Sequence, residues 1–110
     1  MAEKQLAEFE LLVMLAAARV PERYGAAIRR EIEGRTGRDV SIGALYATLS
    51  RLEDHGLLLT EVSAPQPVPG GRSRKLYHFT RPGVDAMQRA TAMVDRLREG
   101  LDLSALEIQS

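Results

Sequence analysis

A chain of 110 residues, 45% hydrophobic and 27% charged, has room for one folded core plus a projecting element, not for two full domains. Cysteine is absent, which excludes disulfides, thiolate metal sites and a cysteine nucleophile. The longest apolar run, Leu11 to Ala18, falls well short of the roughly 18 residues that cross a bilayer, and it lacks signal-peptide flanks, so a cytoplasmic protein with no membrane partner is expected. The formal charge is zero but unevenly spread. Residues 19–52 hold seven Arg against four acids, and residues 72–81 hold Arg72, Arg74, Lys75 and Arg81 with no acid, so two basic patches are compensated elsewhere.

In chain order, Leu6, Phe9, Leu12, Val13, Ala16 and Ala17 recur at helical steps, which predicts a first helix over 3–19, ended by Pro21. A second helix is predicted from Tyr24 to Thr36, with Ile28 and Ile32 inward and Gly37 as its left-handed cap. Ser41 is the expected N-cap of a third helix, whose inward stripe is Ile42, Leu45, Leu49 and Leu52. Leu57–Val62 and Arg74–Phe79 read as strands, joined by a loop rich in Pro and Gly. Tyr77 and Phe79 then share one face, and His78 takes the other. Thr80 caps a last helix that carries Pro82 in its first turn and runs to about Gly100. Along it Met87, Ala90, Val94, Leu97 and Leu101 keep the spacing of a coiled-coil seam, and 102–110 reads as a frayed tail.

Helix, helix, tight turn, helix, hairpin and long helix is the order of a winged helix-turn-helix with a C-terminal dimerisation helix. The fold class expected is mainly α with a small β-hairpin: a DNA-binding domain over 1–80, a dimerisation helix over 81–101 and a tail over 102–110. The third helix is the candidate reader of duplex DNA. Its outward face is expected to present Gly43, Ala44, Ala47, Thr48 and Arg51, with Ser41 at the tip. Small residues let a helix backbone approach base edges in the major groove, and exposed N–H groups at a helix start suit a phosphate oxygen. On the hairpin, Arg72, Arg74 and Lys75 can neutralise phosphates along the duplex. The run Gly70–Lys75 lacks the ending of a nucleotide-binding loop.

These residues carry a resemblance. Glu10–Leu15, Tyr24–Gly25, Thr36–Gly37, Val40–Tyr46, Arg51–Glu53, Gly56–Leu57, Gly70–Arg72, Arg74–Tyr77, Phe79–Thr80 and Gly83 together resemble the PadR family of transcriptional regulators, in its short form with one C-terminal helix. The resemblance spans residues 6 to about 97. It implies a homodimer that represses by covering an operator, relieved by a ligand or by stress. It places Tyr24, Ser41, Gly43, Tyr46, Thr48 and Arg51 where relatives meet DNA, and Arg72, Arg74 and Lys75 in the wing. Two departures are Leu76, where an aromatic is frequent, and the absence of Trp, which puts a stacked flat-ligand site in doubt.

Dimerisation is expected through Leu6, Phe9, Val13, Met87, Ala90, Val94, Leu97 and Leu101. A small apolar or aromatic effector at that interface would lie near Phe9, Val13, Met87, Met93 and Val94. No cofactor or metal is expected: His55 beside Glu53 and Asp54 reads as a solvated helix end, and no nucleophile elbow or carboxylate pair suggests an enzyme. The competing reading is a winged-helix module for protein–protein contact, which would leave Arg72, Arg74 and Lys75 without a task.

Overall fold

The computed structural model describes residues 3–64 and 74–109. Four helices and a hairpin follow one another: α1 (Glu8–Arg19), α2 (Gly25–Thr36), α3 (Ile42–Asp54), β1 (Leu58–Val62), β2 (Lys75–Phe79) and α4 (Arg81–Arg98). A 3-10 turn at Leu103–Ala105 lies beyond α4, so the tail expected to fray holds some local order. Arg72, Gly70 and Gly71, expected at the wing tip, lie outside the described residues.

Helix α1 starts five residues later than its apolar spacing suggests. The reason is Glu10, whose carboxylate turns back to accept the Ala7 N–H at 2.8 Å and pairs with Lys4 at 3.3 Å. That contact satisfies one N–H at the helix start and holds Ala7 in extended conformation as the N-cap. The other boundaries follow local chemistry. Gly37 adopts φ 74° and its N–H closes α2 on the Glu33 carbonyl. Ser41 Oγ accepts the Ala44 N–H at 3.1 Å to open α3. Thr80 Oγ1 accepts the Gly83 N–H at 3.0 Å to open α4, with Pro82 where no donor is needed.

Strands β1 and β2 pair antiparallel, with Leu58 opposite Phe79 and Val62 opposite Lys75. The far edge of β2 is covered too: Tyr24 bridges Leu76, and the Tyr77 N–H donates to the Arg23 carbonyl at 2.8 Å. The segment entering α2 thereby acts as a short third strand and locks the hairpin to the helical layer. The core joins Val13, Met14 and Ala17 of α1 to Ile28 and Ile32 of α2, and to Leu45, Leu49 and Leu52 of α3. Leu57, Leu58, Tyr77 and Ala86 close it from the hairpin and α4. Burial pushes the Tyr77 hydroxyl up to about 12, with the nearby Tyr46 and Glu53 adding to the effect, so it stays neutral.

Gly83 allows this closure. A Cβ there would collide with the Leu57 carbonyl oxygen and crowd Met14, so only glycine lets the first turn of α4 sit on the α3–β1 junction. From there α4 leaves the core. The chain spans 59 Å along its longest axis, and its radius of gyration is 16.9 Å, against about 13 Å for a compact chain of similar length. No helix among the described residues is long and apolar enough to cross a membrane.

Two residues assigned to a dimer seam belong instead to the subunit's own core. Val13 is fully enclosed, and Ala90 is buried where α4 still lies on α1. An apolar stripe records that a residue is covered, not which copy of the chain covers it. Leu6, Phe9 and Met87 are half-buried against the same core, whereas Val94, Leu97 and Leu101 are exposed.

Candidate nucleic-acid interface

Helix α3 is rotated from its expected phase. Leu45, Thr48, Leu49 and Leu52 are buried, and Ile42 at the free first turn is 57% exposed. At about 100° per residue, exchanging Ile42 for Thr48 turns the centre of the buried arc by about 30°. Thr48, expected outside, is 1% exposed and cannot reach a duplex directly. Its hydroxyl is satisfied by the Arg51 guanidinium, which donates to Oγ1 at 3.0 Å. Thr48 thus orients Arg51 rather than touching a ligand.

The outward face that remains has a floor and two walls. Gly43, Ala47 and Ser50 form the floor, all exposed and one helical turn apart. A Cβ on Gly43 would meet nothing, so packing does not demand its smallness, and the surface before it is open. Tyr46 rises on the flank toward α2, and Arg51 on the flank toward α1. Ala44 and Ser41 are exposed at the N-terminal end, where backbone N–H groups point outward. Ser50 was not among the expected residues, although its spacing of three from Ala47 and seven from Gly43 was readable.

Each wall is held from behind. Tyr46 lies across Gly25, and a side chain at that position would drive into its ring and hydroxyl. Gly25→Ala should therefore preserve the fold, because the end of a tyrosine can swing away, yet displace the Tyr46 hydroxyl. The expected result is a melting temperature within a few degrees of the parent and DNA affinity about 1 kcal/mol weaker, one hydrogen bond's worth, by gel shift.

Arg51 has its Nε 3.8 Å from Glu10 of α1, a carboxylate that is almost completely enclosed. Burial pushes the Glu10 carboxyl up, but the Ala7 N–H, Lys4 and Arg51 together outweigh it and hold it below its ordinary value. An acid depressed on folding contributes stability that is present above the ordinary glutamate range and lost as pH falls through the lowered value. The parent should accordingly exceed Glu10→Gln by about 1–2 kcal/mol at neutral pH, and denaturant melts should show the gap closing in acid.

The hairpin side carries the remaining cations. Arg74 stands over the Tyr24 ring, 4.3 Å from its centroid, and lies 4.0 Å from Glu22. Arg30 of α2, absent from the expected set, donates to the Tyr24 hydroxyl at 2.9 Å with its guanidinium 5.8 Å from the same ring. One aromatic therefore organises two guanidiniums, one from α2 and one from the wing. Lys75 reaches back to Glu53 at 3.4 Å, and the Thr60 hydroxyl donates to the same carboxylate at 2.7 Å. The Thr60 hydroxyl and then Lys75 hold the Glu53 carboxyl below its usual range against a small burial cost, so this acid ties the end of α3 to both strands.

Tyr24 adjoins Gly25, Gly25 carries Tyr46, and Tyr46 borders the floor of α3, so these groups form one continuous surface. Its chemistry is a small-residue helix face edged by tyrosine hydroxyls and guanidiniums. That set can donate to phosphate oxygens and to base edges, and it holds no arrangement for covalent chemistry.

The profile of the "Transcriptional regulator PadR-like family" matches residues 13–89. The transcriptional regulator Rv3488 of Mycobacterium tuberculosis is 40% identical over 76 residues, which cover 69% of this chain and 66% of that protein, just under two thirds of the relative. Among solved structures, a PadR-like transcription factor from Bacteroides fragilis superposes with a TM-score of 0.69 at 26% identity, covering 83% of this chain and 84% of that one. A PadR family transcriptional regulator from Eggerthella lenta DSM 2243 superposes with a TM-score of 0.65 at 27% identity, covering 84% and 81%. The chain belongs to the PadR-like family of transcriptional regulators and shares their winged-helix fold.

Proposed function

We propose that this protein is a homodimeric repressor that binds an inverted-repeat operator in double-stranded DNA and responds to a ligand. The observation that carries the reading is the outward face of α3. Gly43, Ala47 and Ser50 leave the helix bare enough to enter a major groove, while Tyr46 and Arg51 stand at its edges, each positioned from behind. In this reading Arg51 contacts a base edge, Ser41 and the N–H groups of Ile42 and Gly43 meet a phosphate, and Tyr24, Tyr46, Arg30, Arg74 and Lys75 grip the backbone on either side.

Two copies related by a two-fold axis place their α3 helices in successive major grooves, about 34 Å apart. The exposed seam of Val94, Leu97 and Leu101, extended by Met87, Phe9 and Leu6, supplies the contact between copies. An effector fits the apolar hollow of about 290 Å³ between α1 and α4, walled by Leu15, Ala18, Phe79, Val84 and Met87. A ligand there would alter how α4 leaves the core and so the angle between the two reading heads. Selection from a random duplex pool tests the proposal. Enrichment of an inverted repeat with half-site centres about 10 base pairs apart supports it, and recovery of unenriched DNA contradicts it.

A further inference from the structure

From Met93 onward every described residue through Gln109 is exposed. This arm is not solvent-suited: it carries Leu101, Leu103, Leu106 and Ile108, the last 91% exposed. It is also locally shaped. The Asp102 carboxylate accepts the Ser104 N–H at 3.0 Å and the Ser104 hydroxyl at 2.6 Å, fixing the 3-10 turn, and Leu106 then continues in extended conformation. On an extended stretch Leu106 and Ile108 face one side and Glu107 the other. Beyond Arg98 the chain has three acids, Glu99, Asp102 and Glu107, and no cation.

A matching surface lies elsewhere on the same chain. Between α1 and α2 runs a groove of about 480 Å³, with Leu12, Leu15, Ala16 and Ile32 along it and Arg19, Glu31 and Arg35 at its rim. Arg19 and Arg35 both donate to one oxygen of Glu31, each at 3.1 Å, so two guanidiniums share one carboxylate and the rim keeps a positive excess. The Glu31 carboxyl is held below its usual value by Arg35 and then Arg19.

We propose that the arm of a second copy, residues 102–109, lies in this groove, with Leu103, Leu106 and Ile108 on its apolar floor and its acids toward Arg19 and Arg35. A single copy leaves both surfaces uncovered, and an exchange about a two-fold axis covers both twice. The charges agree in sign, acid-only on the arm and net cationic on the rim. The inference rests on the homodimer reading above and adds to it a second contact, separate from the α4 seam.

Because the chain has no cysteine, introduced thiols are unambiguous. Two differently tagged preparations, one Ala18→Cys and one Leu106→Cys, are mixed, allowed to exchange subunits and oxidised. The expected product is a disulfide-linked pair carrying both tags, absent when Leu59→Cys on the wing replaces Leu106→Cys. In parallel, Leu106→Asp with Ile108→Asp should raise the dimer dissociation constant about 100-fold by sedimentation. A dimeric parent that gives no mixed cross-link overturns the arm exchange and leaves the dimer reading standing. A doubly substituted chain that closes within one copy also overturns it. A parent that sediments as a monomer at tens of micromolar, on the order of typical weak-dimer concentrations, overturns both.

Discussion

Replacing Arg51 by alanine should weaken operator binding by about 1–3 kcal/mol, the range for a side chain that reads a base edge with two donors. The loss should fall on the preferred sequence and spare binding to random duplex, because a base contact carries the discrimination. Arg51 is preset for such a contact. Thr48 fixes one end of the guanidinium and Glu10 neutralises its rear, while the side chain remains 54% exposed. Little ordering entropy is then left to lose on binding. Arg51→Lys should not restore discrimination, since an ammonium cannot offer two parallel donors. Gel shifts with the selected operator and a scrambled duplex measure both quantities. Equal losses on the two DNAs would recast Arg51 as a phosphate contact.

Gly83→Ala should destabilise the fold by about 1–3 kcal/mol, although glycine to alanine in a helix ordinarily stabilises by up to about 1 kcal/mol. The new methyl group would strike the Leu57 carbonyl, which is backbone and cannot step aside as a side chain can. The first turn of α4 must move, stretching the Thr80 contacts to Gly56 and Leu57. At about 4–8 °C per kcal/mol for a domain of this size, calorimetry should register a clear fall in melting temperature. Gly34→Ala is the matched control. That glycine lies inside α2 with open space around it, so its replacement should raise stability. Two substitutions of identical chemistry and opposite sign isolate the steric cause.

Much of this architecture was legible because it is punctuated locally. Pro21, Gly37, Ser41, Gly56 and Thr80 act on their own turn of chain, and each stands at or beside an element boundary. The residues that escaped depend on neighbours far along the chain. Thr48 is polar, and its burial makes sense only once Arg51 satisfies its hydroxyl. Glu10 looks like an ordinary solvated acid in the first turn of a helix, until the approach of α3 to α1 encloses it beside a guanidinium. Arg30 is one of seven arginines between residues 19 and 52, and only the turn that brings Tyr24 beside it marks it out. Val13 and Ala90 show a further limit, because periodicity identifies a buried face without telling an internal neighbour from a second copy.

If a cation-edged helix face of each subunit lies along duplex DNA, salt should weaken the complex steeply, which titration of a labelled operator duplex with purified protein at a series of salt concentrations reads by fluorescence anisotropy. If each reading head neutralises three or more phosphates, the binding constant should fall about a thousandfold between 50 and 200 mM salt, with a logarithmic slope near −0.9 per phosphate. Affinity that stays flat across that range, or no association at the lowest salt, would mean that this face does not lie along a duplex.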